Sequence, residues 1–130
     1  MAAKKAEQAL VEQWRGILAL HARTQCELDR ALHRHGLCAS DFEVLDVLAA
    51  GAHPDGSCTF RVQEIAERVH LSQSALSRLI ARLEKEGLVE RGLCPEDRRG
   101  VKVALTGKGR ALHDEVLPVQ RAVLTRMLAD

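Results

Sequence analysis

The 130-residue sequence predicts a mostly α fold with a small β-hairpin, flanked by an amphipathic helix at each end of the chain. Three observations carry that expectation. Apolar residues recur with a 3.6-residue period over most of the length. Two short runs alternate with period two on either side of a polar tip. Aromatic residues are scarce: Trp14, Phe42 and Phe60 are the only ones, so a core must be built from Leu, Val, Ile and Ala, which suits interlocking helical stripes. A chain of this length and 46% hydrophobic content fits one integrated domain.

Over residues 7–35, Leu10, Trp14, Ile17, Leu18, His21, Leu28 and Leu32 mark one face of a long helix, and Gly36 supplies a left-handed residue to stop it. Residues 39–50 form a second helix with Phe42, Leu45 and Leu48 on one face and Gly51 at its end. His53-Pro-Asp-Gly-Ser57 is a turn, because Pro presets one dihedral and Gly permits another. Residues 63–70 make a short helix with Ile65, Ala66 and Val69 inward. After the break His70-Leu-Ser72, a helix over 72–86 carries Leu76, Leu79, Ile80 and Leu83 on its buried face, with Ser72 as its cap and Gly87 as its stop.

Leu88-Val-Glu-Arg91 alternates like a strand, Cys94-Pro-Glu-Asp-Arg-Arg-Gly100 is a tip, and Val101, Val103 and Leu105 alternate again. From Lys108 onward, Leu112, Val116, Val119, Val123 and Met127 resume the helical period, with Pro118 bending or interrupting it. Residues 1–36 are thus an N-terminal helix, 37–106 a central lobe and 107–130 a C-terminal helix. Two short helices joined by a tight turn and followed by a hairpin make a winged helix-turn-helix, the arrangement that sets a second helix into a DNA major groove.

The net charge of +1 gives no bulk argument for nucleic acid, so such a reading rests on where charges sit. Between Arg98 and Arg126 there are seven Lys or Arg against only Asp114 and Glu115. On the helix over 72–86 the outward residues are Ser72, Gln73, Ser74, Ser77, Arg78, Ala81 and Arg82. Gln matches adenine, Arg matches guanine or phosphate, and a helix N-terminus suits a phosphate. Periodicity alone leaves an ordinary solvated helix face equally open, and the basic hairpin tip with Arg98 and Arg99 favours DNA, with Lys102 on the strand that follows as a further DNA-binding candidate.

Three stretches resemble the MarR-type winged-helix regulators: Glu64-Ile-Ala-Glu-Arg-Val with Leu71-Ser-Gln-Ser-Ala-Leu-Ser-Arg78, Leu83-Glu-Lys-Glu-Gly-Leu-Val-Glu-Arg91, and Asp97-Arg-Arg-Gly-Val-Lys-Val-Ala-Leu-Thr-Gly-Lys-Gly109. The resemblance implies that Asp97 braces Arg99 at the wing tip and that Thr106 starts the final helix. It also implies a homodimer built from the N- and C-terminal segments, reading a pseudo-palindromic double-stranded operator as a repressor that a small-molecule effector relieves. Members of that family usually continue with a further helix, whereas this sequence stops at Met127-Leu-Ala-Asp130, which leaves three expectations open: a smaller dimer, a differently built one, or a truncated chain. Two alternatives stay open: a protein-interaction module of the same fold without operator binding, and a redox-gated repressor.

For the redox alternative the candidates are Cys26, Cys38 and Cys94. Cys38 stands near a helix start, where a thiol pKa is lowered. The four cysteines, Cys58 included, lie 12, 20 and 36 positions apart with no C-x-x-C pair, which fits free thiols and a cytoplasmic location. No apolar stretch reads as a signal peptide or membrane span. His33 and His35 point to different sides of a helix and share no metal. No Gly-rich phosphate loop, nucleophile elbow or H-E-x-x-H motif is present, so neither enzyme chemistry nor a cofactor is expected.

Overall fold

The structure, a computed structural model, describes residues 1–51, 60–94 and 97–129, without the side chains of residues 93, 94 and 97–100. The turn at His53 to Ser57, and Cys58, lie outside the described residues. Among the described residues, five α-helices and a three-stranded antiparallel sheet follow in the order α1 (Ala2–Leu32), α2 (Ala39–Gly51), β1 (Phe60–Arg61), α3 (Val62–Val69), α4 (Gln73–Lys85), β2 (Val89–Cys94), β3 (Asp97–Leu105) and α5 (Gly107–Leu128).

α1 spans about 46 Å at 1.5 Å per residue. It passes into a single 3-10 turn, His33–His35, which Gly36 closes with φ of 76°. Only its C-terminal third is covered. Thr24, Leu28 and Leu32 are buried, and Leu28 packs with Ala39 and Val123, flanked by Leu124 and Met127 of α5. Toward its N-terminus Leu10, Val11, Trp14, Ile17 and Leu18 stand exposed, Leu10 at 64% and Trp14 at 57%.

The main core joins α2, α4, the sheet and α5. Phe42, Val44, Leu45 and Leu48 of α2 meet Ile65 of α3, Leu76, Ile80 and Leu83 of α4, Val89 and Val103 of the sheet, and Val116 of α5. β3 lies between the other two strands, with Phe60 opposite Val103 on one side and Val89 opposite Leu105 on the other. β1 answers to no alternating run in the sequence: two residues pair only because β3 offers them a free edge. The Phe60 ring is buried beneath the Arg68 guanidinium, whose carbon lies 4.8 Å from the ring centroid.

α5 continues through Pro118, which of the two expected effects, a bend or an interruption, rules out the interruption. What Pro118 lacks is the N–H that would bond the carbonyl one turn earlier. The start of α5 is locked to the wing. Thr106 accepts the Gly109 N–H at 3.0 Å and donates its hydroxyl to the Gly87 carbonyl at 2.6 Å, while its own N–H bonds the Leu88 carbonyl at 3.1 Å. Among the described residues no helix is long and apolar enough to cross a membrane.

Candidate nucleic-acid interface

The turn between α3 and α4 is set by two local choices. His70 adopts the left-handed conformation, φ 57°, and its N–H bonds the Ala66 carbonyl at 3.0 Å, ending α3. Two residues later Ser72 is extended and its Oγ accepts the Ala75 N–H at 3.2 Å, starting α4. Burying Leu76, Leu79, Ile80 and Leu83 turns the opposite row outward, and Ser72, Gln73, Ser74, Ser77 and Arg78 are all exposed. Short polar side chains and one exposed arginine lie along the first two turns, next to the N-terminus of the helix.

Arg82 is exposed, as its place in the outward row predicts, and it also has a partner that no local pattern announces. Although half-exposed, its guanidinium is turned back onto the Asp41 carboxylate of α2, with Nη1 3.0 Å from Oδ2 and Nη2 against Oδ1. Asp41 is 1% exposed. An unpaired carboxylate at that depth carries a large desolvation cost, so the nearest arginine is drawn to it. The pair holds the Arg82 pKa above its ordinary value.

β2 and β3 form the wing. Arg91 reaches Glu84 of α4 at 3.7 Å, a contact between wing and helix. Lys102 faces Arg61 and Gly92 across the sheet and lines a polar hollow with Gln63, Glu64 and Glu67 of α3. It is half-buried, midway along the hairpin. Asp97, Arg98 and Arg99 belong to the backbone of β3, and their side chains, with the bracing of Arg99 by Asp97, lie outside the described residues, as does the side chain of Cys94.

Cys26 is exposed on α1, and Cys38 is half-buried before α2. The lowered pKa expected at Cys38 is corrected: burial pushes the thiol up, and the negative charge of Asp41 adds to that against the backbone N–H groups. Among the described residues no three His, Cys, Asp or Glu side chains gather as a metal-binding group.

Two features had no signature in the sequence. A cleft of about 460 Å³ opens between α1, α2 and the α3–α4 turn, lined by His21, Gln25 and Leu28, by Ala39, Ser40 and Glu43, and by Val69, His70 and Leu71. Beside it α2 and α5 are laced together. The buried His113 stacks on Phe42, ring centroids 5.4 Å apart, and sets Nε2 2.8 Å from Asp46 Oδ1, while Arg121 donates to Asp46 Oδ2 at 3.0 Å. Burial alone raises the Asp46 pKa, but hydrogen bonds and charge from His113 and Arg121 outweigh it and leave the carboxyl below its ordinary value.

A model of the MarR family matches residues 35–100. The HTH-type transcriptional repressor MdtR of Bacillus subtilis is 30% identical over 126 residues, which are 97% of this chain and 77% of that protein. Among solved structures, Sco3205, a MarR family transcriptional regulator from Streptomyces coelicolor in complex with DNA, is similar with a TM-score of 0.79 and 31% identity, over 95% of this chain and 74% of that one. A mutant MarR from E. coli complexed with operator DNA is similar with a TM-score of 0.76 and 26% identity, over 94% of this chain and 86% of that one.

Proposed function

The chain belongs to the MarR family, and from that premise we propose that it is a dimeric repressor of transcription that holds a pseudo-palindromic operator in double-stranded DNA and lets go when a small molecule fills the α1–α2–turn cleft. The observation that carries the DNA reading is the exposed row Ser72, Gln73, Ser74, Ser77 and Arg78 on a helix whose other face is buried in the core. In the proposed complex these residues enter the major groove, and the wing, with Arg98 and Arg99, follows the backbone into the adjacent minor groove.

The dimer is supported by surface. The protomer exposes 8810 Å², about 2,000 Å² more than a compact monomer of its mass shows. The excess includes the apolar row Leu10, Trp14, Ile17 and Leu18 of α1, which a second copy would cover. An effector is supported by the size of the cleft, which falls within the range of ligand pockets, and by the fact that the α3–α4 turn forms one wall. A molecule wedged there has direct leverage on α4. The protein acts in the cytoplasm, where the operator is, and we assign it no catalytic role.

The test is gel retardation on an operator selected from random DNA. Arg78→Ala and Arg99→Ala are each expected to lose ~1–3 kcal/mol of operator affinity. If both variants bind as the wild type does, the assigned face is wrong, and a protein-interaction module of the same fold becomes the better account.

A further inference from the structure

Resting on the reading of α4 as the recognition helix, we propose that Arg82 is a positioning residue: through its forked pair with the buried Asp41 it fixes how α4 is presented to DNA, and it is not a phosphate contact. Leu76, Leu79, Ile80 and Leu83 hold α4 to the core, but apolar contacts set depth better than they set rotation or slide. The two-point pair between a planar guanidinium and a carboxylate is directional and supplies what those contacts lack. It joins residues 41 positions apart.

Asp41 is itself anchored. Its Oδ2 accepts the Cys38 N–H at 2.9 Å, so the carboxylate belongs to the first turn of α2. The next N–H along, that of Ala39, is taken by Asp29 of α1 at 2.8 Å. Two carboxylates in series therefore tie α1 to α2 and α2 to α4. In a dimer built on α1, the spacing and tilt of the two recognition helices depend on that series. An operator with two fixed half-sites is sensitive to such geometry, whereas non-specific DNA is sensitive mainly to charge.

The distinguishing experiment measures operator and non-specific affinity over a range of salt for Arg82→Gln, Arg82→Lys and Asp41→Asn, with far-UV circular dichroism to establish that each variant is folded. Positioning predicts that Arg82→Gln and Asp41→Asn each lose operator affinity by roughly tenfold. Non-specific affinity and the slope of log affinity against log salt are predicted to stay at wild-type values. Asp41 lies too deep to touch DNA, so its loss cannot be a removed contact. Arg82→Lys keeps the charge without the fork and is predicted to fail like Arg82→Gln. It also decides the matter if Asp41→Asn does not fold.

A phosphate contact predicts instead that Arg82→Gln lowers the salt slope by about 0.9 and weakens both kinds of DNA alike, that Arg82→Lys largely restores binding, and that Asp41→Asn binds normally. That pattern, or wild-type behaviour in all three variants, overturns the proposal. If the wild type itself shows no preferred site, the regulator reading falls and takes this one with it.

Discussion

Gly109 of α5 and Leu88 at the foot of the wing are in backbone contact: the Leu88 carbonyl occupies the space that a Cβ on residue 109 would need. The same carbonyl accepts the Thr106 N–H, and Thr106 caps the helix through the Gly109 N–H. The Leu105-Thr106-Gly107-Lys108-Gly109 segment is thus a joint between the wing and α5, and the residue types at Thr106 and Gly109 follow from that geometry. Gly109→Ala is expected to destabilise the fold by ~1–3 kcal/mol, because backbone, unlike a side chain, cannot step aside. Thermal unfolding followed by circular dichroism reads this directly, and an unchanged midpoint would show that the joint is looser than described.

A charge placed on the uncovered face of α1 should separate the protomers. Ile17 and Leu18 are 52% and 47% exposed in the single chain. Covering a side chain of that size contributes ~1.5–3 kcal/mol. Ile17→Glu forfeits part of that contribution and buries an unpaired charge on each protomer. Sedimentation equilibrium at micromolar concentration is expected to give a dimer for the wild type and a monomer for this variant. The two behaving alike would place the interface elsewhere.

Acid should weaken the α2–α5 junction through Asp46. Its folded-state pKa lies below the ordinary carboxylate value, with burial overcome by His113 and Arg121. A carboxyl shifted in that direction contributes stability that is complete above the unfolded-state value, near pH 4, and is lost as pH falls through the folded-state value. Asp46→Asn is therefore expected to be less stable than the wild type at pH 7 and to match it once the medium is acid enough to protonate Asp46. Urea unfolding at the two pH values measures the difference. A gap that persists in acid would assign the effect to packing and not to charge.

Cys38 should be a slow thiol. Burial holds its pKa above the ordinary value, so little thiolate is present at neutral pH. Alkylation by iodoacetamide at pH 7, followed by mass spectrometry, is expected to be slower at Cys38 than in a short unstructured peptide of the same local sequence. Peroxide is expected to leave operator binding of the Cys38→Ser variant and the wild type equally affected. A response lost in that variant would restore Cys38 as a sensor.

The parts of this fold that were legible in the sequence are those decided within a few residues of where they occur. Ser72 and Thr106 cap helices through N–H groups three positions on, and Gly36 and Gly87 take up positive φ at stops that their neighbours announce. The outward row of α4 follows from the spacing of Leu76, Leu79, Ile80 and Leu83. What escaped depends on partners brought from afar. β1 exists because Phe60 and Arg61 meet Val103 and Lys102. Arg82 looked like a free surface cation because its partner, Asp41, lies in a different helix, although an Asp three positions after Cys38 does resemble a capping residue. His113 and Asp46, 67 positions apart, carried no local sign of their pairing.

Lys102 shows the same limit at smaller scale. Alternation placed it on a strand, and only the approach of α3 decided that it would line a hollow with Glu64 and Glu67.

The central claim, a dimer that reads two half-sites with α4, is tested most directly by hydroxyl-radical footprinting of the full chain on its selected operator. The account predicts a two-fold symmetric footprint with half-site centres one helical turn apart, about 10–10.5 base pairs or a multiple of that. It further predicts that the symmetry persists in Gly109→Ala wherever that variant is folded. An asymmetric single-half-site footprint, or uniform protection without sequence preference, would contradict it.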